Sequence, residues 1–84
     1  MSDEKIRDVI DVLSSIEKDF SVPKNVRVRI KNAYSVLEAD GKSMAVRIDQ
    51  SLQELDDISD DPNIPSYTRT QIWNVVSMLE SMSE

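Results

Sequence analysis

The sequence predicts an all-α fold: a four-helix antiparallel up-and-down bundle built from a duplicated helical hairpin. Three observations carry that prediction. The stretch Val22 to Glu38, VPKNVRVRIKNAYSVLE, recurs 42 residues later as Ile64 to Glu80, IPSYTRTQIWNVVSMLE, with no gap. Pro23/Pro65, Arg27/Arg69, Ile30/Ile72, Asn32/Asn74, Ser35/Ser77, Leu37/Leu79 and Glu38/Glu80 are identical pairs. The same offset runs upstream, where Ile6, Ile10, Leu13 and Ile16 fall on Ile48, Leu52, Leu55 and Ile58 at helical spacing. Finally, the three prolines and the single glycine divide the chain into four segments with short joints, the pattern of antiparallel neighbours in a bundle. A period of 42 also fits two HEAT-like helical repeats, but such solenoids need about three units to cover their open faces. Two hairpins do better by closing on each other.

Residues 1–84 are expected to form one domain, with hairpin 1 at about 3–40 and hairpin 2 at about 43–82. A chain this short buries roughly 60% of its unfolded surface. In helix one, Ser2 is placed to cap, and Asp3 and Glu4 suit the positive end of the helix dipole. Ile6, Val9, Ile10, Leu13 and Ile16 face the core, and Val12 widens the stripe. Lys18 and Asp19 end the helix, and Phe20 and Val22 are expected to tuck the connection against the core.

Pro23 opens helix two, where its missing N–H costs nothing, and holds Val22 extended. Val26, Ile30, Ala33 and Leu37 are the buried stripe, Tyr34 flanks it and Val28 lies opposite. Asp40-Gly41 is expected to stop the helix, with glycine as the left-handed cap. Ser43 caps helix three, whose core positions are Met44, Ile48, Leu52, Leu55 and Ile58, with Ala45 beside them. Pro62 and Pro65 forbid helix through DDISDDPNIP. Helix four starts near Pro65 and buries Ile72, Val75, Leu79 and Met82, flanked by Val76.

Composition excludes more function classes than it suggests. There is no cysteine and no histidine, hence no thiolate site and no side chain with its ordinary pKa near neutrality. One glycine cannot build a phosphate-cradling loop. A net charge of −6 argues against a general nucleic-acid binder and against an anionic membrane surface. No apolar run approaches the ~20 residues of a membrane span, and MSDEKIRDVI is too charged for a signal peptide. The expectation is a cytoplasmic, non-enzymatic protein with no cofactor and no bound metal.

The segment Asp60-Asp61-Pro62-Asn63-Ile64-Pro65, followed by Thr68-Arg69-Thr70-Gln71-Ile72-Trp73-Asn74, resembles a small uncharacterised archaeal protein family of the UPF type. Val22-Pro23 and Val26-Arg27 support the match, which covers essentially the whole chain. The resemblance implies a compact four-helix fold and no particular activity, and it brings no catalytic residues with it.

Three surface groups are candidates for function. Glu54, Asp56, Asp57, Asp60 and Asp61 form an acidic cluster, but it lacks the alternation, glycine and terminal glutamate of a calcium loop. The simpler reading is a solvated helix end whose aspartates cap loop N–H groups. Lys24, Arg27, Arg29 and Lys31 form a basic segment with no acid among them, and Lys24, Arg27 and Lys31 share one helical stripe that could contact phosphate. The simpler reading has these cations pair with acids on other helices. Arg69, Trp73 and Val76 form a strip on helix four. Trp73 stands about 120° from the centre of its apolar stripe, at 100° per residue. A stacked Arg69–Trp73 pair would make a binding anchor; the simpler reading lays Trp73 over the hairpin junction. Arg27 and Arg69 recur one turn after each proline, so each is expected to reach a carboxylate or helix C-terminal carbonyls. The leading expectation is a protein-interaction or self-associating module that uses helix four, with a protein partner or homodimer. The alternative is an RNA- or ribosome-associated accessory protein contacting phosphate through Lys24, Arg27 and Lys31.

Overall fold

A computed structural model describes the backbone of residues 2–82 and the side chains of 4–82. The Ser2 cap and the Asp3 carboxylate therefore lie outside the described side chains. Four helices follow in order: α1 (Ser2–Glu17), α2 (Lys24–Glu38), α3 (Met44–Ser59) and α4 (Ser66–Met82). α1 packs on α2 and α4, and α3 packs on α2 and α4, while the diagonal pairs do not pack. That ring order is an up-and-down bundle. Stacked HEAT-like repeats would instead set α1 on α3 and α2 on α4. The molecule measures 32 × 21 × 20 Å.

Burial repeats with the sequence offset. Ile6, Val9, Leu13, Ile16, Val22, Val26, Ile30, Ala33 and Leu37 are buried. Each has a buried counterpart 42 residues on: Ile48, Ser51, Leu55, Ile58, Ile64, Thr68, Ile72, Val75 and Leu79. The apolar members form one continuous core. This register supports the duplicated hairpin. It also corrects α3, where Ser51 is fully buried, Leu52 is only partly so, and Ala45 is exposed. Position 51 occupies the inward station that Val9 holds in α1, so packing geometry overrides side-chain polarity there.

Helix ends differ in detail from expectation. Pro23 is itself the N-cap residue of α2, with φ −55° and ψ 145°. α2 stops at Glu38, and Ala39 turns extended rather than left-handed. Gly41 does take positive φ, 87°, but in the turn beyond the helix. Ser43 caps α3, its hydroxyl accepting the Val46 N–H at 3.3 Å. Two arginines cover orphan carbonyls at helix C-termini. Arg47 donates to Leu37 O at 3.0 Å, and Arg69 donates to Ser59 O and, at 3.0 Å, to Asp61 O.

The α1–α2 connection contains the clearest departure. Val22 is buried as expected, but Phe20 is 86% exposed. Asp19 explains the turn: its carboxylate accepts the Ser21 N–H at 2.9 Å and the Ser21 hydroxyl at 2.6 Å. Residue 22 then enters the core and residue 20 is thrown outward, as is its counterpart Pro62. Tyr67, at the start of α4, donates to Asp19 at 3.0 Å and meets the Ser21 hydroxyl. The two loops at this end of the bundle are thereby tied together.

Candidate functional site

α4 presents an unusual surface. Its exposed residues from Ser66 to Ser77 are Ser66, Tyr67, Thr70, Trp73, Asn74 and Ser77, none of them charged. The one charged residue in that span, Arg69, is half-buried and turned to the carbonyls at the end of α3. Trp73, four residues further, shares that side of the helix and is 59% exposed. The strip is therefore not assembled as expected. Arg69 is committed to the α3 terminus and does not stack on Trp73. Val76 is partly buried and packs against the core. Trp73 alone is left as an aromatic anchor, on a face depleted of charge.

The basic stripe is brought together. Lys24, Arg27 and Lys31 line one open groove of about 450 Å³ at the α1–α2 seam, with Val28, Asn32 and, from α1, Glu17. Among the described residues none of these three cations makes an ion pair. The cation that pairs is Arg29, on the other side of α2, 3.4 Å from Asp57 and 3.7 Å from Glu54 of α3. Pairing with acids on other helices thus holds for Arg29 and not for the stripe. Arg27 is oriented by its Nε–H, which donates to Val22 O at 3.0 Å. Its guanidinium lies 5.0 Å from the centroid of the Phe20 ring. Counterpart arginines have therefore taken different posts, Arg27 on its own connecting loop and Arg69 on the neighbouring helix end.

The acidic cluster is dispersed. Glu54 and Asp57 face Arg29, and Asp61 accepts the Asn63 N–H at 2.8 Å inside the loop. Among the described residues no three acids converge as a metal-ligand set. No helix of the described chain is long and apolar enough to cross a membrane.

Two ionisable groups carry perturbed equilibria. The Tyr34 hydroxyl donates to Glu17 across the α1–α2 seam. That bond, then burial and the nearby carboxylates, push the phenol up to about 12. Asp19 is held below the usual carboxylate range by its bonds from the Ser21 hydroxyl and N–H and from Tyr67. Both groups tie elements together at the surface, and neither sits in a closed pocket that would recruit it for proton transfer.

Sequence reasoning missed Phe20. Apolarity alone assigns it to the core, although the 42-residue offset pairs it with Pro62, a loop residue. That pairing was the available signal.

The chain matches the model of an uncharacterised protein family, UPF0147, over residues 1–82. A UPF0147 protein of Methanosarcina mazei is 42% identical over 81 residues, covering 96% of this chain and 87% of the relative. One from Sulfurisphaera tokodaii is 42% identical over 83 residues, covering 99% and 93%. The crystal structure of MMP1188, a protein of unknown function, superposes with a TM-score of 0.95 at 39% identity, over 100% of this chain and 96% of that one. A UPF0147 protein from Thermoplasma acidophilum superposes at 0.90 with 31% identity, over 96% and 95%.

Proposed function

The chain belongs to the uncharacterised UPF0147 family, and from that premise we propose that it is a non-enzymatic interaction module whose recognition surface is α4. The observation that carries this reading is Trp73, 59% exposed on a helix face without exposed charge from Ser66 to Ser77. Depletion of charge together with an exposed aromatic is the compositional mark of an interface core, and tryptophan is the residue most enriched at binding hot spots. The occupant is a protein partner or a second copy of this chain. The test is affinity capture from native lysate, with and without RNase, together with the mass of the purified protein in solution. Trp73→Ala is carried through both measurements. A captured protein that survives RNase and is lost with Trp73→Ala, or a dimer that the variant dissociates, supports the reading. Recovery and mass both unaffected by the substitution, in a folded variant, contradict it.

A second reading has an observation of its own. An RNA- or ribosome-associated accessory protein would contact phosphate through Lys24, Arg27 and Lys31, which line one groove and lack ion-pair partners among the described residues. Capture of ribosomal proteins that vanish on RNase treatment would favour it.

A further inference from the structure

We propose that the α1–α2 groove takes single-stranded RNA, with Lys24, Arg27 and Lys31 on the phosphates and Phe20 as the platform on which a base stacks. The proposal rests on the phosphate-contact reading of that stripe and goes beyond it by adding the aromatic and so the kind of strand. Sites for single strands combine a cationic track for the backbone with exposed aromatic rings for the bases. Both parts are present side by side. Three cations line an open groove of about 450 Å³. The most exposed large apolar side chain of the described residues, Phe20 at 86%, stands against one of them. Arg27 joins the two parts, since its guanidinium covers the Phe20 ring at 5.0 Å. Its Nε–H is anchored on Val22 O, and its terminal N–H groups make no hydrogen bond among the described residues. With a cation on one face, the ring is poised to receive a base on the other. Asn32 adds a neutral donor and acceptor to the groove wall. Glu17 also lines the groove and opposes an anion; the bond from the Tyr34 hydroxyl fixes its carboxylate without removing its charge.

An A-form duplex offers the same phosphates but no free base to stack. The experiment compares a fluorescent uridine oligomer of about twelve nucleotides, within the usual site sizes, with an RNA duplex of the same length. Anisotropy is read at low salt and along a salt series. Wild type, Lys24→Glu with Lys31→Glu, Phe20→Ala and Phe20→Trp are each checked for an unchanged melt. Phe20 is almost fully solvated, so its removal leaves the core intact. The expected result is preferential binding of the single strand, with a log–log salt slope of about −2 for three contacts. Phe20→Ala should weaken the single strand about tenfold and leave duplex binding unchanged, while Phe20→Trp should restore it. The double charge reversal should abolish binding of both probes. If the duplex binds as tightly as the oligomer, or Phe20→Ala binds the oligomer like wild type while the charge reversal still fails, the stacking proposal is overturned and phosphate contact stands. If neither probe binds wild type at low salt, both fall together.

Discussion

Two buried hydroxyls mark where the cores of the two hairpins differ. Val9 and Val26 of the first are matched in the second by Ser51 and Thr68, each fully buried. Among the described residues neither hydroxyl finds a hydrogen-bond partner. A buried polar group left unpaired costs about 1–3 kcal/mol. Thr68→Val, nearly isosteric and the residue of the matching position, is therefore expected to raise unfolding free energy by about 1 kcal/mol, read from chemical denaturation. A loss of stability would mean that the hydroxyl is satisfied. Tyr34 gives the second test at this scale. Its folded pKa is raised, so its contribution to stability is complete below 10.0, the ordinary value, and is lost as pH climbs toward about 12. In a Tyr67→Phe background, tyrosinate absorbance should develop near 12 in the folded protein, and Tyr34→Phe should remove the alkaline loss of stability. Titration at the ordinary value would contradict the Glu17 bond. Single residues were the least legible part of the sequence. Val28 faces outward and Ser43 caps its helix as their sequence positions imply, because periodicity and cap chemistry are local. Phe20 departs from its expected burial because its direction is set by the Asp19–Ser21 turn, which apolarity does not encode.

At the scale of elements, the existence and order of the helices were legible and their ends less so. Apolar spacing fixed which faces are buried in α1, α2 and α4. It missed Ser51 in α3 and Thr68 in α4, where only the 42-residue offset pointed inward, and it placed Met82 in the core although that side chain is only partly buried. Glycine chemistry points to Gly41 as the cap of α2, yet the helix ends earlier, at Glu38, with Ala39 extended. Carbonyls left open there are served by Arg47 from the next helix, and those of α3 by Arg69 from α4. Each arginine thus joins a helix to the C-terminus of the one before it. Hydrogen bonds from a charged donor contribute about 1.5–3 kcal/mol. Arg69→Met, which keeps much of the stem, should lower unfolding free energy by about 2 kcal/mol while leaving the helix content of the folded state unchanged. No loss of stability would return Arg69 to the surface as a candidate contact. That long reach across a joint is why the Arg69–Trp73 stack suggested by sequence spacing does not form.

At the scale of the molecule, the ring closes because α1 meets α4, and closure leaves two outward seams with different chemistry. The α2 side at α1 is cationic, with Lys31 in it. The corresponding station on α4 holds Trp73 on a charge-free face. Positions related by the repeat have kept their packing and exchanged their surface, and surface is where binding is decided. Sequence alone located both groups, since charge and aromatic identity are visible there. It did not reveal that Arg69 is spent internally, which is a tertiary fact. The central claim, that the α4 face is covered by a protein, is tested most directly by the emission of Trp73, the sole tryptophan of the chain. Emission and acrylamide quenching should be followed from dilute to concentrated protein, and again with any protein captured on it. An indole exposed to solvent in dilute solution should shift its emission to shorter wavelength and resist quenching as the complex forms. An indole that stays exposed and freely quenched at every concentration, and in every complex recovered, would contradict that claim.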